Sequence, residues 1–266
     1  MNRQQLIQTI KDKRSYLCVG LDTDPQLLPV PLQGNPDGVL LFNKAIVDAT
    51  RSTCVAYKIN TAFYESMGSK GWQIMEQTVQ YIGKEHFIIA DAKRGDIGNT
   101  SRQYATAFFS QLHFDSITVS PYMGEDSVKP FLAFPDKWAI VLGLTSNAGA
   151  ADFELLNCEG SPLYEHVLGK VSTWGTPANL MFVVGATQAE SFTRIRQICP
   201  DHFFLVPGIG AQGGSLREVS EKAMNKDIGL LVNASRAILY ASSGDDYAEA
   251  AARVAGAYQA EMATYL

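Results

Sequence analysis

The chain has 266 residues and a net charge of −5 at pH 7, so no global basic field points toward nucleic acid or an anionic membrane surface. Its 46% hydrophobic content suits one sizeable core, no run approaches the ~20 apolar residues of a membrane span, and the opening MNRQQLIQTIKDKRS lacks the apolar centre of a secretory signal. Cys18, Cys54, Cys158 and Cys199 are widely spaced with no C-x-x-C, which reads as reduced core thiols in a cytoplasmic protein.

In chain order, residues 3 to 13 form a short amphipathic helix, with Leu6, Ile7 and Ile10 on one face. A first strand covers Tyr16 to Leu21 and ends at Asp22. A Pro-rich loop, Pro25 to Pro36, leads into a helix from about Asp37 to Arg51. Strand two is Cys54 to Ile59, and a helix around Ser69 to Ile82 leads to strand three, which begins at His86. The next helix is expected over Thr100 to Leu112. Strands four to eight fall at Ser116–Ser120, Trp138–Leu144, Asn179–Val184, Phe203–Val206 and Ile228–Val232, and an Ala-rich helix closes the chain from Tyr247 to Tyr265. Ser146 to Ser161 is the longest irregular stretch and a candidate rim loop or lid.

Eight short apolar runs separated by helical patterns predict a parallel sheet with helices outside it. In this length the sheet closes, giving an α/β fold: a single-domain (β/α)8 TIM barrel over residues 1–266, with residues 1–14 plugging the barrel bottom. Barrel chemistry sits at the C-terminal ends of the strands. There the sequence places Asp22 and Asp24, Lys58 and Asn60, Asp91 and Lys93, Thr145 and Ser146, Pro207 to Gln212, and Ser235 and Arg236. His86, His113 and His202 precede strands, hence lie at the opposite face, and His166 falls in a helix, which argues against a histidine base or histidine-ligated metal.

The stretch IADAKRGDIGNT, Ile89 to Thr100, is the densest charge cluster. Asp91 and Lys93 at i and i+2 of a strand share a face. Asp96 falls just beyond the strand end, where Gly95 and Gly98 let the chain turn. Asp22, Asp91 and Asp96 offer oxygen ligands for magnesium, but Lys58 and Lys93 occupy the same space and supply the counter-charge instead. A Schiff-base role for Lys58 is the other alternative, and neighbouring carboxylates oppose it by keeping the amine protonated. Near the seventh strand, PGIGAQGG supplies backbone amides and a helix starting near Ser215, and Arg236 follows strand eight. Together they suit a phosphate monoester.

The run D-A-K-R-G-D-I-G-N-T closely resembles the D-x-K-x-x-D-I-x-x-T signature of the orotidine 5'-phosphate decarboxylases, and the resemblance spans roughly Gly20 to Arg236. It implies a cofactor-free, metal-free decarboxylation of orotidine 5'-phosphate to UMP in pyrimidine biosynthesis. The family's alternating array falls on Lys58, Asp91, Lys93 and Asp96. The resemblance also implies a homodimer in which Asp96 and Thr100 reach the partner's site. It places Asp22 on the ribose, Ser146 on the pyrimidine, and Pro207, Gln212, Ser235 and Arg236 around the phosphate. The long loop after strand five and SRA, Ser235 to Ala237, in place of the commoner GR-type ending resemble the longer bacterial subgroup.

Overall fold

The computed structural model describes residues 1–210 and 213–266. Among these, eight parallel strands close into one barrel: β1 (Leu17–Gly20), β2 (Ala56–Asn60), β3 (Phe87–Arg94), β4 (Ser116–Val119), β5 (Trp138–Leu144), β6 (Leu180–Val184), β7 (Phe203–Pro207) and β8 (Leu230–Ala234). Each pairs with its neighbour in sequence, and β8 closes onto β1. Both faces of such a sheet are covered, one by the barrel interior and one by helices, so its strands need unbroken apolar runs. Every residue of β1, β4, β6 and β8 is buried accordingly.

Strand boundaries move where the backbone turns inside an apolar run. Ile228, the expected start of strand eight, lies in the left-handed region at φ 69°, and Gly229 follows at φ 65°. Asn225 and Ile228 exchange backbone hydrogen bonds of 3.0 and 3.1 Å, closing a tight turn, so β8 begins two residues later at Leu230. A β-branched residue seldom adopts that conformation, and nothing in the apolar pattern announces it. The expected helix over 100–112 starts at Gly98 and widens into a π-helical segment from Thr106 to Gln111. A helix from Thr61 to Glu65 follows β2 directly. The stretch 146–161 carries a helical turn, Ala150–Phe153, and begins a two-residue ribbon pairing Asn157–Cys158 with Ser161–Pro162. Cys158 stands half-buried on that ribbon, whereas Cys18, Cys54 and Cys199 are core residues.

The N-terminal helix, Arg3–Lys13, begins with a reciprocal cap: Gln5 N–H donates to Asn2 Oδ1, and Asn2 N–H donates to Gln5 Oε1. It ends at Arg14 in the left-handed conformation. Leu6 and Ile10, one turn apart, are fully buried. The Met1 ammonium pairs with Asp115 just before β4, Arg3 donates to Asp201 O just before β7, and Lys13 donates to Cys54 O just before β2. These contacts lie at the N-terminal ends of the strands, opposite the end where the charged residues gather. Among the described residues no helix is long and apolar enough to cross a membrane.

Candidate active site

A cavity of about 500 Å³ opens at the C-terminal ends of the strands. Asp22, Lys58, Asp91, Lys93, Pro207, Ser235 and Arg236 all line it, as do Asp24, Asn60 and Asn233. Four of these side chains form one charged array. The Lys58 ammonium, almost fully buried, lies 3.0 Å from Asp22 Oδ1 and 3.3 Å from Asp91 Oδ2. The half-exposed Lys93 ammonium lies 2.6 Å from Asp91 Oδ1. Asp91 therefore bridges the two lysines, one through each oxygen.

Burial works against the charges on Lys58 and Asp91, and their neighbours outweigh it. Burial alone would lower the pKa of Lys58, but Asp22 and Asp91 hold it above its ordinary value. Burial would raise the Asp91 carboxyl, yet Lys58, Lys93 and the Thr118 hydroxyl keep it below the usual carboxylate range. Lys58 is thus an ammonium and Asp91 a carboxylate at neutral pH. A protonated Lys58 is no nucleophile, which argues against the Schiff-base alternative. The ammoniums also occupy the positions beside Asp22 and Asp91 that a bound cation would take. Among the described residues no three His, Cys, Asp or Glu side chains group as metal ligands.

The Asp91–Lys93 contact comes from an irregular strand. Ala90 pairs with Ile117 and Arg94 with Val119, so four steps along β3 oppose two along β4. Inside this bulge Lys93 has a left-handed φ of 47°. Its N–H donates to Thr118 Oγ1 at 2.8 Å, and the same hydroxyl donates to Asp91 Oδ1 at 3.0 Å. Thr118 thus replaces the missing ladder bond and aims the carboxylate. Simple alternation along a strand put the two charged groups on one face; the bulge brings them into contact.

The loop after β7 folds back on itself: Gly214 N–H donates to Gly208 O, and Gly213 N–H donates to Gly210 O. Gly208, Gly210 and Gly213 all have φ between 72° and 101°, which fits glycine at each. Gln212 lies outside the described residues. Ser215 caps the following helix, Leu216–Ala223, accepting from Glu218 N–H. Arg236 is exposed on the cavity wall, and among the described residues no carboxylate forms an ion pair with it.

Three expected residues do not line the cavity. Asp96 accepts from its neighbour's Ile97 N–H and makes no ion pair among the described residues; Thr100 is exposed on the following helix. Ser146 Oγ is buried against Gly185 without a hydrogen-bond partner. Its neighbour Thr145 is held by Glu154, at 2.7 Å through its N–H. Of the histidines, His86 and His202 are buried at the strand starts, and His166 binds Ser161 and Cys158 O outside the barrel. Sequence reasoning passed over Thr118, Asn233 and Tyr240. The Tyr240 hydroxyl accepts from Asp24 N–H at 2.9 Å, steadying the loop that carries Asp22. A lone Thr, Asn or Tyr in an apolar run carries no signal until the strands are paired.

A family model for the Orotidine 5'-phosphate decarboxylase / HUMPS family matches residues 15–253. The chain belongs to this family. The decarboxylase of Flavobacterium johnsoniae is 57% identical over 99% of this chain and 97% of its own, and that of Phocaeicola vulgatus is 56% identical over 98% of each. Among solved structures, the OMP decarboxylase of Leishmania donovani superposes with a TM-score of 0.82 at 34% identity, covering 97% of this chain and 99% of its own. The UMP synthase of the same organism gives 0.83 at 36% identity over 96% of this chain but 56% of its own. The matched residues include the stretch from Asp22 to Lys93 that carries the charged array.

Proposed function

We propose that this chain converts orotidine 5'-phosphate to UMP and CO2, the step that supplies UMP in pyrimidine biosynthesis. The observation that carries this reading is the Asp22–Lys58–Asp91–Lys93 array within a cavity that also presents Arg236. When the bond from C6 to the carboxylate breaks, its electron pair stays on C6 with little delocalisation. Many decarboxylases meet this problem with an organic electron sink. Here the Lys93 ammonium faces the developing carbanion, stabilises it, and transfers a proton from Nζ to C6; water then reprotonates the amine. Ionised Asp91 stands against the substrate carboxylate, and their repulsion is relieved as CO2 leaves. Lys58 holds Asp91 and Asp22 in fixed positions before substrate arrives, which is electrostatic preorganisation.

Arg236, with Gln212, Pro207 and Ser235, takes the phosphate and Asp22 the ribose, and Ser146 takes the pyrimidine once its hydroxyl turns out from Gly185. Remote phosphate binding can then drive loop closure over the reacting carbon. The protein works as a cytoplasmic homodimer without metal or cofactor. Asp96 and Thr100 complete the partner's site, in keeping with an Asp96 carboxylate that meets no lysine among the described residues. Exposed Ile97, Tyr122 and Met123 near the same rim supply apolar surface for that contact. The helix Arg3–Lys13 closes the barrel bottom, so residues 1–266 act as one domain.

The test is loss of orotidine 5'-phosphate absorbance on adding protein in excess EDTA. Conversion to UMP supports the reading. No conversion, with activity on a ketose phosphate restored by magnesium, would transfer Asp91, Lys93 and Asp96 to a metal-dependent lyase mechanism.

A further inference from the structure

The left-handed backbone at Lys93 has to be held by something. A non-glycine residue in this region costs roughly 1–2 kcal/mol, and such strain persists where surrounding contacts over-determine it. Within the bulge, one peptide unit decides where Lys93 points: the unit joining Ala92 to Lys93. Both of its polar ends are engaged by side chains. The Lys93 N–H donates to Thr118, and the Ala92 carbonyl accepts from Arg94 Nη1 at 3.1 Å. The Arg94 side chain therefore reaches back across Lys93 and clamps the preceding carbonyl.

Arg94 is itself confined on the side away from the array. Its Nη2 pairs with Glu65, at the end of the helix that directly follows β2 and Lys58. Its guanidinium lies over the rings of Tyr104 and Phe108, 5.4 and 5.5 Å from their centroids. Tyr104 belongs to the helix after β3, and Phe108 to its π-helical continuation. The Arg94 carbonyl accepts from Ser120 N–H at 2.8 Å. Three elements thus converge on one guanidinium that does not line the cavity.

We propose that Arg94, locked by Glu65, Tyr104 and Phe108, is a positioning residue that fixes the strained Lys93 backbone and so aims the Lys93 ammonium. It rests on the assignment of Lys93 as the group that acts at C6. A lysine at 94 keeps the charge but has no planar fork to span Glu65 and the Ala92 carbonyl together.

The experiment measures kcat, KM and UMP affinity for wild type, Arg94→Met, Arg94→Lys, Glu65→Gln and the Glu65→Gln/Arg94→Met pair. Small misplacements of a reacting group can cost about 10²-fold in rate. The expected result is a kcat reduced tenfold or more by Arg94→Met, with KM and UMP affinity within about twofold of wild type, since phosphate and ribose contacts are untouched. Arg94→Lys should recover part of the loss. The double variant should be no slower than Arg94→Met, because Glu65 acts through Arg94. A folded Arg94→Met protein with wild-type kcat, or one whose loss appears wholly in KM, overturns the inference. Wild-type protein that does not decarboxylate overturns the assignment of the reaction instead. A lowered melting temperature with unchanged kcat would make Arg94 a stabilising residue and nothing more, which also overturns it.

Discussion

Thr118 shows how one neutral side chain sets the state of two charged ones. Its hydroxyl is a donor to Asp91 and an acceptor from the Lys93 N–H. Thr118→Val keeps the shape and deletes both bonds, leaving the part-buried Lys93 N–H without its partner, which costs up to about 1–3 kcal/mol. Lost from the reacting geometry, that predicts a fall in kcat of roughly 5- to 150-fold with substrate affinity little changed, readable in steady-state kinetics. A variant with unchanged kcat would show that Asp91 and Lys93 hold themselves. Asp91 and Lys93 stood out as charges closing an apolar run, Asp22 and Lys58 as polar residues ending two others, and the family resemblance, not the charge pattern, joined Lys58, Asp91 and Lys93 in one array. Thr118 was not legible, because its importance arises from the β3–β4 register shift, which no local pattern encodes. Ser146 carries the converse lesson: its residue type matches the expected role, while its hydroxyl faces Gly185.

At the scale of elements, the packing of β1 on the segment after β8 joins two parts of the site. A Cβ at Gly20 would meet Ser235 Oγ at 1.9 Å and Ser235 Cβ at 2.8 Å. Gly20→Ala must therefore displace Ser235 and the start of the segment bearing Arg236. We expect a raised KM with the barrel intact; an unchanged KM would remove Ser235 and Arg236 from phosphate binding. The barrel's other end makes a separate prediction. Burial pushes His86 and His202 down to about 4, with Lys13 and Arg51 adding to the effect at His86, and Arg3 and Arg196 at His202. Each is buried neutral, so its contribution is full above the unfolded value near 6.5 and is lost as pH falls from there toward 4. The loss approaches roughly 3 kcal/mol for each histidine. Urea unfolding at pH 7 and pH 5 should show the drop, and His202→Phe should flatten it; a His202→Phe protein with the wild-type slope would contradict the assignment. Most strands were readable from apolar runs bounded by turn residues, β5 to the residue. The start of β8 was not, because Ile228 turns within such a run.

At the scale of the molecule, an array completed by Asp96 from a second copy predicts complementation. Lys93→Ala and Asp96→Ala proteins should each be nearly inactive alone. Mixed and allowed to exchange subunits, they should form native sites in roughly a quarter of positions, because half the dimers are mixed and each holds one complete site. No recovery after verified exchange would place Asp96 in its own chain's site.

The most direct test of the account is the turnover of Lys93→Ala on orotidine 5'-phosphate, beside its affinity for UMP. Removing one preorganised charge typically costs ~10²–10³ in rate, and removing the proton donor as well should cost more. The account predicts at least that loss with UMP binding retained. Turnover near wild type would contradict it.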